Sequence, residues 1–151
     1  MFTSKFTRFI NIASAVLGGI VLLGGGSQAQ ASNQITARVD ISEQRMVVSV
    51  DGRPAFEWKV STGGKGYVTP TGAWKPTRLH EIWYSRKYDN APMPHAVFFS
   101  GGYAVHATSA VKRLGTPASH GCVRLHPDNA SDFYKLVQVF GAANTQIVIV
   151  E

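Results

Sequence analysis

Ile35-Thr36-Ala37-Arg38-Val39-Asp40-Ile41 alternates apolar and polar side chains, the period-two signature of a strand with one face turned inward. Met46-Val47-Val48-Ser49-Val50 repeats the alternation more loosely, and Asp51-Gly52 supplies the two positive-φ positions of a tight turn. Ala55-Phe56-Glu57-Trp58-Lys59-Val60 then returns as a partner strand, so this part of the chain is a hairpin with a third strand leading into it.

Working outward, Ser61 to Gly72 carries Gly63, Gly64, Gly66, Pro70 and Gly72 and reads as loop, with Thr69-Pro70-Thr71-Gly72 as a turn. Ala73 to Leu79, Ala96 to Ser100 and Tyr103 to His106 are short apolar or aromatic runs bounded by Gly and Pro, which predicts three further strands. Asn90 to His95 reads as a proline-punctuated connection. The pattern changes to a helical one over Pro127 to Phe140. There Ala130, Phe133, Tyr134, Val137 and Phe140 share one face, Pro127 suits the first turn and Gly141 follows the end. A strand over Thr145 to Val150 closes a mainly β chain with one main helix, at about 127–140.

In front of the hairpin, Lys5 and Arg8 precede an uncharged apolar stretch from Ile10 to Gly26, and Ala29-Gln30-Ala31 fits small-x-small cleavage. Residues 1–31 therefore read as a secretory signal and 32–151 as a single domain, large enough to bury one core without disulfides. A retained membrane anchor is the other reading, but the apolar stretch is short for a span and holds five glycines. No cysteine lies near the cleavage site, so lipid modification there is excluded.

The 151 residues hold 15 Lys and Arg against 9 Asp and Glu, a formal charge of +6. Without Lys5 and Arg8 the balance is 13 against 9, or +4. The basic residues are scattered singly, which suits a carboxylate-rich substrate and does not form the run or stripe of a nucleic-acid footprint.

Pro117-Ala118-Ser119-His120-Gly121-Cys122-Val123-Arg124 contains the one cysteine of the chain. In an oxidising compartment an unpaired cysteine either bridges to another molecule or is kept as a reactive thiol. A reactive thiol needs a neighbouring base or a field that lowers its pKa, and His106 and His120 are the candidates. Gly121 can adopt turn dihedrals and let a carbonyl approach the backbone, and its N–H and that of Cys122 can hold an oxyanion. Arg124 has the shape to bind a substrate carboxylate. The bland reading makes Cys122 a small buried hydrophobe. His80, His95 and His126 read as structural or surface residues. His120-x-Cys122-x3-His126 matches none of the common zinc spacings, and no second cysteine is available, so no metal is expected.

His106, then twelve residues, then Ser119-His120-Gly121-Cys122-Val123-Arg124 resembles the signature of the L,D-transpeptidase catalytic (YkuD) domain family. Ser61-Thr62-Gly63-Gly64, Thr69-Pro70-Thr71-Gly72 and Met93-Pro94 before an aromatic strand are similar to other features of that family, and the likeness spans most of Ile35 to Val150. The resemblance implies a β-sandwich or cradle. It makes Cys122 the nucleophile on a peptidoglycan tetrapeptide stem, attacking the carbonyl of the third residue and releasing D-alanine. It makes His106 the general acid and base, with the backbone around Gly121 and Cys122 stabilising the oxyanion. Ser119 and His120 would shape the site and Arg124 would bind the donor stem. An amine of a second stem would resolve the thioester into a 3-3 cross-link, with no cofactor.

Three other readings stay open at this point: a hydrolase or carboxypeptidase with water as acceptor, attachment of an outer-membrane protein through its amine, and a non-catalytic wall-binding module. The expected location is the periplasm. One departure stands out, because the family commonly has Gly after the base histidine and this chain has Ala107. If that position needs a positive φ, alanine is unfavourable there by roughly 1 kcal/mol.

Overall fold

The Asp51-Gly52 turn forms as its residues dictate, with φ of 51° and 77°, and joins β2 (Arg45–Val50) to β3 (Arg53–Lys59). A register shift between Val48 and Ser49 accompanies the loosened alternation there. The computed structural model describes residues 34–151; the proposed signal over 1–31 lies outside the described residues. β1 (Ile35–Asp40) pairs antiparallel with β2 on one side and parallel with β9 (Thr145–Val150) on the other. The short β4 (Gly72–Trp74) completes the sheet on the far side of β9, giving the order β3-β2-β1-β9-β4.

The second sheet has the order β5-β6-β7-β8, from β5 (Arg78–Ser85), β6 (Ala91–Ser100), β7 (Tyr103–Ala107) and β8 (Val123–Leu125). β5, β6 and β7 run antiparallel in succession, whereas β7 and β8 are parallel, joined by a connection that contains a 3-10 turn at Val111–Arg113. The main core collects Ile35, Ala37 and Val39 of β1, Ile147 and Ile149 of β9, Val105 of β7 and Val123 and Leu125 of β8. Helix α1 (Pro127–Phe140) lays Ala130, Phe133, Tyr134 and Val137 onto that core, the face read from its spacing. Each large side chain buried in this way contributes about 1.5–3 kcal/mol. His126 caps the helix, its Nδ1 accepting from Asp128 N at 3.3 Å.

Two expectations are corrected. Ala73 to Leu79 is not one strand but parts of two, in different sheets. Lys75-Pro76-Thr77 intervenes, Pro76 has no N–H to continue a ladder, and Thr77 N bonds Phe98 O at 2.8 Å. Asn90 to His95 is not a connection but, from Ala91 on, the first half of β6. Its prolines are tolerated because β7 pairs only with Val97 to Ser100, so Pro92 and Pro94 have β5 on one side and no strand on the other. Residues 80–85, left unassigned from the sequence, belong to β5, whose inward face changes phase in mid-strand. Arg78 and His80 turn toward Phe98, yet so does Trp83, and His95 opposite has φ of 52°. A period-two pattern cannot run through such a switch.

Candidate active site

The parallel pairing of β7 with β8 sets Val105 against Val123 and His106 against Arg124. Alternation then sends Val105, Ala107, Val123 and Leu125 into the main core. The other face carries Ala104, His106, Cys122 and Arg124. There Ala104 joins Met93, Ala96 and Phe98 in a smaller cluster, with Trp83 and Cys122 packed against it. Sheet pairing thus brings together His106 and Cys122, sixteen positions apart, with Arg124 beside them, around a cavity of about 290 Å³ that all three line. His120 lines it as well.

His106 is buried at 6 % exposure, and its Nδ1 lies 2.7 Å from the carbonyl of Ala107. A carbonyl only accepts, so Nδ1 carries the proton and Nε2 is left as the acceptor. Ala107 is not among the positive-φ residues, so the alanine offers this carbonyl without backbone strain. Desolvation lowers the His106 pKa from 6.5 to about 4; the Ala107 bond opposes this and the Arg124 charge adds to it. Burial also raises the Cys122 pKa, against the Ala104 amide and Arg124, which lower it. The resting pair is therefore a neutral imidazole and a neutral thiol. The thiol also faces Gly102 O, at 3.9 Å from Sγ.

The segment before Cys122 is held by Ser119, which is 1 % exposed. Its Oγ donates to Cys122 O at 2.6 Å and accepts from Gly121 N at 2.9 Å. Ser119 N donates to Thr62 O, and Ser119 O accepts from Gly64 N, which ties the segment to the glycine-rich loop. Gly121 has φ of 113°, and a Cβ there would stand 2.6 Å from Cε1 of Tyr103 and 2.7 Å from Val68 O. Glycine is the one residue that meets both conditions. Because the Gly121 N–H is engaged by Ser119, in this arrangement it does not point to an oxyanion. The Arg124 guanidinium donates to Ala118 O at 3.2 Å.

His120 takes no part in holding the thiol. Its exposed ring stacks on Tyr88 with centroids 4.2 Å apart and meets Tyr67 edge-on at 4.5 Å. Tyr88 belongs to the turn between β5 and β6, and Tyr67 to the glycine-rich loop, so the three rings fasten two loops over the cavity. Neither tyrosine was singled out from sequence; an aromatic at the tip of a Gly-rich loop was the available signal. Thr69 was also missed as a site residue: its Oγ1 accepts from Gly63 N and donates to Gly121 O at 2.9 Å. No carboxylate lines the cavity, and the field that Arg124 sets there favours anionic ligands.

A family model for the L,D-transpeptidase catalytic domain (YkuD) matches residues 34–149. The fold is similar to that of an L,D-transpeptidase from Mycobacterium smegmatis, with TM-score 0.69 and 26% identity, over 78% of this chain and 59% of that one. An L,D-transpeptidase from Stackebrandtia nassauensis gives TM-score 0.69 and 29% identity, over 78% of this chain and 56% of that one. L,D-transpeptidase 3 from Mycobacterium tuberculosis, in complex with a faropenem-derived adduct, gives TM-score 0.67 and 22% identity, over 78% and 60%. The chain thus spans less than two-thirds of the length of these relatives. No curated protein matches its sequence.

Proposed function

Because this chain belongs to the L,D-transpeptidase catalytic-domain family, we propose that it is a peptidoglycan L,D-transpeptidase whose acyl-enzyme forms on Cys122. The observation that carries this reading is the shared β7–β8 face, with His106 and Cys122 on one cavity and Nε2 left free to accept. Turning Sγ from Gly102 toward Nε2 lets the imidazole take the thiol proton as sulfur attacks the third-residue carbonyl of a tetrapeptide stem. A base lowered to about 4 and a raised thiol make this transfer unfavourable at rest. Charge separation is then coupled to the presence of a substrate carbonyl.

The backbone amide of Cys122 is the oxyanion donor in this proposal, with Gly121 and Ser119 fixing its direction. As the tetrahedral intermediate collapses, His106 returns its proton to the departing D-alanine. Arg124 attracts the carboxylate of the donor stem. An amine of a second stem then resolves the thioester; hydrolysis, or an outer-membrane protein amine as acceptor, would differ only in that last step. The leader reading goes with this function and puts the protein in the periplasm after cleavage following Ala31, which the mass of the exported protein checks.

A relative from Mycobacterium tuberculosis carries a faropenem-derived adduct, and the same drug probes this thiol. Intact-mass measurement is expected to give a single covalent adduct on the protein, lost in Cys122→Ala. No adduct, or one that persists in Cys122→Ala, would contradict an activated Cys122 and favour a wall-binding module.

A further inference from the structure

Beside the catalytic cavity is a second recess of about 350 Å³, and Ser85, Tyr88, Met93 and Gly102 border both. Trp83, Phe98 and Met93 give it an apolar side; Arg78, Arg86 and Lys87 give it a cationic one, and no Asp or Glu lines it. The Arg78 guanidinium sits 3.9 Å from the centroid of Phe98 and 5.3 Å from that of Trp83. Two rings hold its plane and leave its N–H edge for a ligand. None of the three cations takes part in an ion pair or a side-chain hydrogen bond among the described residues. By contrast, Arg38 and Arg45 are paired with acids. Glu81 and Asp89, the carboxylates on the same hairpin, do not line the recess.

Three uncompensated cations around an apolar floor fit a ligand that is both acidic and partly aliphatic. Gly102 lines the recess, and its carbonyl lies 3.9 Å from the Cys122 sulfur. Whatever occupies it therefore approaches that sulfur from outside the cavity that His106 and Arg124 line.

We propose that this recess is the acyl-acceptor subsite and that Arg78, Arg86 and Lys87 bind the carboxylates of an amine-bearing acidic stem peptide. The inference rests on the transpeptidase reading. The acceptor nitrogen attacks the thioester carbonyl on Cys122, the C–N bond forms as C–S breaks, and the amine proton passes through His106 to the leaving thiolate. Trp83 packs on the aliphatic part of the acceptor side chain.

The test is calorimetric titration of the full chain carrying Cys122→Ala with a tripeptide stem, in its free-carboxylate form and with its carboxylates converted to amides. The free acid is expected to bind about tenfold or more tighter, as charge-assisted hydrogen bonds imply. In an added Arg86→Gln/Lys87→Gln pair that preference should shrink to about twofold, because two of the three cations supplying it are gone. Arg78→Lys, which keeps charge but loses the planar fork, should fall between. A carboxylate preference that survives both variants would overturn the proposal, since Arg124 or another group would then supply it. Loss of Cys122-dependent D-alanine release from a tetrapeptide tests the activity reading separately, on the same preparation without the Cys122 change. The carboxylate preference decides the subsite in either case.

Discussion

Replacing Ser119 by alanine removes one oxygen that serves two backbone groups at once. The Ser119 side chain is fully enclosed; its Oγ accepts from Gly121 N at 2.9 Å and donates to Cys122 O at 2.6 Å. Alanine fills nearly the same space, so little cavity forms and the loss is one of polar satisfaction. Each orphaned group costs about 1–2 kcal/mol, which predicts a loss of about 2–4 kcal/mol. With an unfolding entropy of about 2.1 cal/mol/K per residue, a domain of this size loses about 4 °C for each kcal/mol. Differential scanning calorimetry should therefore show Ser119→Ala melting about 8–16 °C below the parent protein. The acylation rate should fall about tenfold or more as the peptide planes that aim Cys122 loosen. Ser109→Ala is the control, because Ser109 is exposed, lines the cavity and makes no side-chain hydrogen bond. It should stay within about 0.5 kcal/mol of the parent. Equal melting of the two variants would refute the claim that Ser119 is the brace of the segment that carries Cys122.

Further outcomes follow from the same geometry. His106 titrates near 6.5 when unfolded and about 4 when folded, so below pH 6.5 the unfolded chain binds the extra proton. Stability is full above pH 6.5 and declines as pH falls toward 4; by pH 5 the loss is about 2 kcal/mol, a component that urea titrations should find missing in His106→Gln. Gly121→Ala, with its φ of 113° and backbone contact at 2.7 Å, should lose about 3 kcal/mol or fail to fold, as circular dichroism would reveal. Ala107→Gly should keep the His106 carbonyl contact and activity but lose about 0.5–1 kcal/mol of stability in urea titration, because a strand interior gains nothing from glycine here.

Much of the architecture was legible wherever one face of an element is buried. The turn at Asp51-Gly52 and the helix at Pro127–Phe140 were readable because local chemistry and periodicity agreed, and the final strand followed the same rule. The β5–β6 hairpin was not, since its burial switches faces near His80 and His95, and its prolines look like breakers until the missing neighbour strand is known. At the site, Cys122 and His106 were readable from residue type and signature, but their meeting depends on a parallel β7–β8 pairing that no local pattern encodes. Ser119 was expected to shape the site; its hydroxyl bonds Cys122 O and Gly121 N. Gly121 was expected as an oxyanion donor, whereas its N–H is spent on Ser119. The aromatic fastening by Tyr67, Tyr88 and His120 joins residues from three separate segments, and only tertiary contact reveals it.

The most direct test of the account is to incubate the protein with disaccharide-tetrapeptide and follow products by mass spectrometry, with Cys122→Ala alongside. The account predicts cross-linked dimers that have lost one D-alanine, formed by the parent protein and absent with Cys122→Ala. Dimers that form equally with Cys122→Ala, or no Cys122-dependent product of any kind, would contradict it.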